Sequence, residues 1–95
     1  MPIFAALGTL TEQGLKNLEA MDLRHKKAVE AAEKRGAKVL ASYALLGRYD
    51  FLVILEAPDT KTAAYVLTKE AEHGNVRYQT MEAFPMSEFA EFVQK

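Results

Sequence analysis

Cysteine and tryptophan are absent from this sequence, and neither charge dominates, since 12 Lys and Arg face 13 Asp and Glu for a formal net charge of -1. Without cysteine the chain forms no disulfide, no thiol nucleophile and no cysteine-based zinc or iron–sulfur site. A near-zero net charge argues against nucleic acid as a partner, because such binding needs a basic face. Acidic residues within two helical turns offset the basic residues 24–27, so this run does not change that expectation.

Long apolar runs are also missing. The longest one beyond the N-terminus covers residues 51–55, far short of the ~20 residues that span a bilayer. The apolar start of the chain has no basic residue before it and ends at Gly8, which is not the pattern of a signal peptide. We therefore expect no membrane partner and a cytoplasmic location, with which the missing cysteine agrees.

The 95 residues, of which 49% are hydrophobic, suit one domain over residues 1–95. Apolar patterning predicts strands over residues 3–7, 38–46, 49–57 and 76–84. Between them, helices are expected to begin at Thr11, at Asp22 after a break near Met21, and at Asp59 or Thr60, and Ser87 is expected to cap a short helix over residues 88–94. The order βαββαβ plus a terminal helix predicts an α+β, ferredoxin-like fold, with a four-stranded antiparallel sheet and both helices on one face.

The third strand is apolar on both of its faces. One set of alternating residues is Phe51, Val53 and Leu55, and the other places Leu52 and Ile54 between Asp50 and Glu56. Because the helices cover only one face, the other face needs a second cover. We expect a homodimer or higher oligomer that packs sheet against sheet. In the alternative, the terminal helix with Phe89 and Phe92 folds back over its own sheet, or reaches over the partner's.

Several short motifs follow one another along the chain. This sequence has Leu-Gly-Arg-Tyr-Asp at residues 46–50, then an apolar strand and Glu-Ala-Pro-Asp at 56–59. These segments resemble the GYD domain family, which takes its name from a Gly-x-Tyr-Asp hairpin. Leu-Thr-Glu-Gln-Gly at 10–14 and Gly-Asn-Val-Arg at 74–77, followed by Thr80 and Ala83-Phe84, add to the resemblance, which covers about residues 3–92. It implies a ferredoxin-like domain related to dimeric α+β barrels. Such relatives include cofactor-independent oxygenases, isomerase- or lyase-like proteins and ligand-sensing domains, an analogy that fixes no activity.

Asp50 is the first candidate for chemistry, as a general base or as a ligand-binding group beside apolar side chains and a phenol. Tyr43, Arg48, Tyr49 and Arg77 are the other candidate ligand-binding residues. In the structural alternative, Asp50 caps the hairpin or pairs with Arg48 or Arg77. Tyr49 is expected to share a face with Phe51 and to anchor the hairpin by packing.

His25 is the second candidate base, although a solvated basic helix face explains it as well. His73 falls at the end of a helix, where the helix dipole favours a cation. The spacing of these two histidines matches no metal site, and the sequence has no phosphate-binding or dinucleotide motif. We expect no metal and no cofactor.

Three functions remain open at this point. The first is a homo-oligomeric domain that binds a small molecule near the sheet or at the subunit interface. The second is a cofactor-independent enzyme in which Asp50 or His25 is the base and Tyr43 or Tyr49 its hydrogen-bond partner. The third is a structural assembly unit. The sequence leaves open whether the protein is an enzyme.

Overall fold

A computed structural model describes residues 1–94. Four strands and four helices follow one another along the chain, with a short 3-10 turn at Leu18–Ala20. In order they are β1 (Ile3–Leu10), α1 (Glu12–Lys16), α2 (Met21–Lys34), β2 (Lys38–Ala44), β3 (Phe51–Glu56), α3 (Thr60–Glu72), β4 (Val76–Ala83) and α4 (Met86–Val93). No helix within residues 1–94 has the length and apolar character needed to cross a membrane.

The strands form one antiparallel sheet in the order β2-β3-β1-β4. Side chains on one face of the sheet, such as Phe4 and Leu55, are buried against α2 and α3. These helices contribute the buried residues Ala32, Ala63 and Leu67 to the same core. The predicted fold class is confirmed: an α+β chain with a four-stranded antiparallel sheet and helices packed on one face.

Two of the predicted helix starts are confirmed. The Thr11 side chain accepts a hydrogen bond from the Gly14 backbone N–H at 3.0 Å. The Asp59 carboxylate accepts one from the Thr62 N–H at 2.8 Å. Hydrogen bonding from the Thr62 side chain, and then from this N–H, lowers the pKa of Asp59 below its ordinary value. Such side-chain acceptors satisfy N–H groups that a helix leaves free at its first turn.

The other two predicted caps are wrong. Because the 3-10 turn runs directly into α2, the helix begins at Met21, and Asp22 lies in its first turn and pairs with Lys26 at 3.3 Å. The last helix begins at Met86, one residue before the predicted cap Ser87, with Pro85 at the cap position. The φ of -57° at Pro85 suits a helix start without a side-chain acceptor.

The hairpin between β2 and β3 is longer than the sequence pattern indicates. β2 ends at Ala44 and β3 begins at Phe51, so residues 45–50 form the connection. Gly47 lies in it with a φ of +123°, a conformation that glycine adopts without strain. Leu45 donates its N–H to the Asp50 carbonyl at 2.8 Å and closes this loop.

The sheet face turned away from the helices is apolar, and we call it the open sheet face. Tyr43 and Met81 on it are 60% and 40% exposed, and its central residues are partly exposed. The strand registers place at its centre Ile3, Ala5 and Leu7 of β1, Ala41 and Tyr43 of β2, Leu52 and Ile54 of β3, and Gln79 and Met81 of β4. Thr9, Lys38, Glu56, Arg77 and Ala83 lie at its ends.

The terminal helix α4 leaves this face uncovered. Every residue of α4 is exposed, with Phe89 at 45% and Phe92 at 72%. Its aromatic contact is local, since the Phe89 ring lies 6.1 Å from that of Phe84 just before the helix. The fold-back over the chain's own sheet is therefore not formed.

Candidate functional site

Asp50 makes three hydrogen bonds, two that join the hairpin to the end of β1 and one that closes the hairpin itself. Its carboxylate Oδ2 accepts from the Leu10 backbone N–H at 2.8 Å. Its own N–H donates to the Gly8 carbonyl, and its carbonyl accepts from the Leu45 N–H, both at 2.8 Å. The carboxylate thus binds a backbone amide of β1 rather than one of the hairpin, and a catalytic role for Asp50 stays a prediction.

Tyr49 lies on the other side of the sheet from the one expected. Its hydroxyl donates to Gln79 Oε1 at 3.2 Å, and Gln79 pairs with Leu7 on the open sheet face. Strand alternation does not extend to Tyr49, because β3 begins only at Phe51. The Arg48 guanidinium lies 5.6 Å from the centre of the Tyr49 ring, which brings these two predicted residues together.

The remaining predicted site residues are dispersed. Tyr43 pairs with Leu52 on the open sheet face. Arg77 is exposed on β4, and no ion pair within residues 1–94 joins it or Arg48 to Asp50. His25 is exposed on α2. The structure therefore does not gather the predicted residues into one site.

A groove that sequence reasoning missed lies between α2, α3 and the sheet. We call it the helix–sheet groove; its volume is about 710 Å³, within the range of roughly 300–1,000 Å³ typical of small-molecule sites. A second cavity of about 400 Å³ adjoins it near the start of α2. The apolar side chains that line the groove include Ala28, Val39, Val53, Leu55, Val66 and Leu67.

Basic side chains line the rim of this groove. They belong to Arg24, His25, Lys27, Lys34, Arg35, Lys69 and His73. Among residues 1–94, the only carboxylate in the lining is that of Glu70. The groove thus combines an apolar floor with a rim of opposite sign to the chain's formal net charge of -1.

Tyr65 orders one edge of the rim. The Arg35 guanidinium stacks 4.0 Å from the centre of the Tyr65 ring and donates from Nη2 to the Tyr65 hydroxyl at 2.6 Å. The Lys69 ammonium lies 5.6 Å from the same ring. Two cations from different parts of the chain therefore lie within 6 Å of the centre of one aromatic ring.

Tyr78 contributes a phenol to the groove lining. Gly8 gives its ring room, because a Cβ at Gly8 would lie 3.0 Å from Tyr78 Cε1. Burial raises the pKa of Tyr78 to about 12, and the nearby Glu70 carboxylate acts in the same direction. The hydroxyl is therefore protonated at neutral pH and can donate a hydrogen bond.

The comparison with known proteins agrees with the hairpin motif. The model of the GYD domain family matches residues 4–93. The chain belongs to the GYD domain family. A protein of Thermus thermophilus, described as a glutamine synthetase and cystathionine beta-lyase binding protein, is 38% identical over 89 residues. The match covers 93% of this GYD chain and 94% of the relative.

In this GYD domain the three segments that carry the family pattern meet at one end of the sheet. Asp50 of the hairpin holds Leu10, and the next N–H, that of Thr11, donates to the Asn75 carbonyl at 3.0 Å. Gln13 adds a bond from Nε2 to the His73 carbonyl at 2.8 Å. One hydrogen-bonded junction thus joins residues 46–50, 10–14 and 74–77, whereas Glu56 and Ala83 pair with Ile3 at the opposite end of the sheet.

The groove gave only a faint signal in the sequence of this GYD domain. Alanines recur at one face of α2 and leave space beside α3, while basic residues flank that face. Recognising the site requires knowing that Lys69 and Arg35 approach the same tyrosine, although they are 34 residues apart in the chain. Within residues 1–94, no cluster of three His, Asp or Glu side chains is arranged to hold a metal ion.

Proposed function

We propose that this protein is a cytoplasmic binding module that forms a homodimer and holds a small molecule in the helix–sheet groove. The observation that carries the proposal is the two-sided apolar character of β3. One face of β3 contributes to the core and to the groove floor, and the other face of β3 belongs to the open sheet face. The two features use opposite sides of the sheet, so dimerisation leaves each groove accessible.

The extent of the open sheet face supports a second copy as its cover. The largest exposed apolar patch of a monomeric protein is typically about 300–600 Å² and is often an interaction surface. Four strands about 4.8 Å apart, of about seven residues rising about 3.4 Å each, give a flat face of roughly 450 Å². A second copy presents the same apolar face, and a two-fold axis makes such a surface self-complementary.

The helix α4 supplies the area that the strands lack. A stable interface buries about 800 Å² on each partner, more than the flat sheet offers. Phe89, Phe92 and Val93 of α4 are all exposed, at 45%, 72% and 56%. In the dimer we propose, α4 reaches over the partner and buries these side chains.

Light scattering at micromolar concentration tests the dimer. We expect a mass of about twice the 10.6 kDa of the chain. A mass of one chain over the whole concentration range would overturn the dimer and leave the groove proposal standing, because the groove is built within one protomer.

A thermal-shift screen of small carboxylates, amines and neutral metabolites tests the groove. Ala28→Phe fills the groove, because Ala28 lines both cavities. Ala64→Phe is the matched control, since Ala64 is exposed on α3 and does not line the groove. Stabilisation that Ala28→Phe abolishes and Ala64→Phe retains supports the groove. Equal stabilisation of both variants would place binding elsewhere.

Binding of another protein is a second candidate function, favoured by the description of the Thermus thermophilus relative. The test is co-sedimentation of the full chain with purified glutamine synthetase and with purified cystathionine beta-lyase. Phe92→Ser removes the most exposed aromatic side chain of α4 and shows whether this helix takes part. If the chain forms a complex with neither enzyme, this candidate function is excluded.

The cofactor-independent enzyme ranks below both binding functions. The carboxylate of Asp50 is engaged by the Leu10 amide, and within residues 1–94 it makes no hydrogen bond to Tyr43 or Tyr49. If a turnover is found, Asp50→Asn separates a catalytic role of the Asp50 carboxylate from its structural role as the acceptor of the Leu10 N–H. Unchanged turnover in this variant would exclude Asp50 as the base.

A further inference from the structure

We propose that the ligand of the helix–sheet groove is an aliphatic carboxylate, with its apolar chain on the groove floor and its carboxylate at a lip formed by Arg35, Tyr65 and Lys69. We call this edge the Tyr65 lip. The inference rests on the proposed small-molecule function and adds the chemical class of the ligand.

The floor determines the body of the ligand. The sheet contributes Val39, Val53 and Leu55, which are branched aliphatic side chains, and Val66 of α3 adds another. Such a surface takes up methylene groups, and each buried methylene contributes about fourfold in affinity, from ~0.8 kcal/mol per group. Binding should therefore rise with chain length until the chain reaches the end of the groove.

The rim determines the charge of the ligand. Arg24, Lys27, Lys34, Arg35 and Lys69 carry permanent positive charges along the groove, against the single carboxylate of Glu70. The lining of the groove is therefore positive, although the chain as a whole has a formal net charge of -1. An anion is attracted there and a cation is repelled, more strongly at low salt than at high salt.

The Tyr65 lip supplies the head-group contacts. The Arg35 guanidinium is fixed by stacking at 4.0 Å and by its 2.6 Å bond to the Tyr65 hydroxyl, so that it needs little ordering on binding. Lys69 lies on the same ring and pairs with Glu72 at 3.3 Å, an exposed pair that contributes little and can be exchanged for a ligand. Two charged donors thus lie beside one ring at this edge of the groove, and a carboxylate can accept hydrogen bonds from more than one such donor.

The experiment compares three probes with the same ten-carbon chain: decanoate, decanol and decylamine. Each is titrated below its micelle concentration into the isotope-labelled full chain at low salt, and the amide shifts of α2, α3 and β3 are followed. We expect decanoate to bind about tenfold more tightly than decanol, and decylamine to bind more weakly than both. High salt should remove the advantage of decanoate.

Two double variants locate the head group. Arg35→Gln with Lys69→Gln should weaken decanoate binding about tenfold and leave decanol unchanged. Lys16→Gln with Lys61→Gln removes the same charge at exposed positions outside the groove and should leave both probes unchanged. The amide spectrum of each variant verifies that the fold is intact.

The outcomes separate this inference from the proposed function. Equal affinity of decanoate and decanol, or equal losses in the two double variants, would overturn the carboxylate class while small-molecule binding stands. Naphthalene carboxylate is titrated in the same way as a fourth, aromatic probe. Tighter binding of this probe than of decanoate would overturn the aliphatic class. If all three probes leave the groove amides unshifted, and Ala28→Phe matches the parent chain throughout the screen, the small-molecule function itself is overturned.

Discussion

The Asp50 carboxylate accepts the backbone N–H of Leu10 at 2.8 Å. This bond joins the Gly-x-Tyr-Asp hairpin to the last residue of β1, immediately before the Thr11 cap of α1. The residue that the sequence marks as a candidate base therefore has a defined structural role. It positions the end of the sheet at which the GYD segments meet.

Removing the Asp50 acceptor should destabilise the fold. In Asp50→Ala the Leu10 N–H loses its partner at a partly buried position, which costs about 1–3 kcal/mol. Asp50→Asn keeps an acceptor oxygen and should lose less. Urea denaturation followed by circular dichroism measures both. Equal stability of Asp50→Ala and the parent chain would contradict the role of this bond.

Gly14→Ala should be more damaging than a surface glycine substitution. A Cβ at Gly14 would lie 2.0 Å from the Asn75 carbonyl oxygen, a backbone atom that cannot move without breaking its bond to Thr11. We expect a loss of about 2–3 kcal/mol or more, from overpacking. Gly47→Ala is the control, because it meets no atom within 4 Å and carries only the strain of its positive φ. A smaller loss for Gly14→Ala than for Gly47→Ala would be inconsistent with this packing.

The cap of α3 makes stability depend on pH. Hydrogen bonding from the Thr62 side chain and, second, from its backbone N–H holds the pKa of Asp59 below its ordinary value of 3.8. The stabilisation is therefore complete above that value and is lost as the pH falls through the lower, folded-state pKa. Asp59→Asn keeps a capping oxygen without the titration, so its stability should fall less steeply below about pH 4. Parallel slopes for the two chains in acid denaturation would refute the assignment.

The sequence predicts the element order well, because apolar alternation and the side-chain caps Thr11 and Asp59 are local signals. It also predicts the uncovered sheet face, because Leu52 and Ile54 alternate with core residues. The predicted sheet face of Tyr49 is wrong because strand alternation does not extend into the hairpin loop that precedes β3. Asp22 fails as a cap because a 3-10 turn supplies the preceding turn of helix. The side on which Tyr49 lies and the start of α2 thus depend on the backbone conformation of the preceding turn, which local residue patterns do not show.

The groove could not be predicted for a different reason. Its rim joins Arg35 at the end of α2 to Tyr65 and Lys69 in α3, and its floor comes from two strands. In the sequence of each helix taken alone, these basic residues have the pattern of a solvated helix face. Their convergence depends on how α2 and α3 pack across the sheet.

A charge on the open sheet face should dissociate the dimer. Ile54→Glu places a carboxylate at the centre of the proposed interface, where burying an unpaired charge is expensive. We expect the dimer dissociation constant to rise at least ~100-fold, which corresponds to about 2.7 kcal/mol. Leu23→Glu is the matched control, because Leu23 is 56% exposed on α2, away from that face. Sedimentation velocity should show a monomer for the first variant only, and unaltered assembly of Ile54→Glu would exclude this interface.

Contact between the two open sheet faces is tested most directly by isotope-filtered nuclear Overhauser spectra of a mixture of labelled and unlabelled chains. We expect cross-peaks between the two copies that involve the Leu52 and Ile54 methyl groups and the Tyr43 ring. We also expect such cross-peaks from Phe92 of α4. Contacts between copies confined to α2 and α3, or none at a concentration where the dimer mass is observed, would contradict this interface.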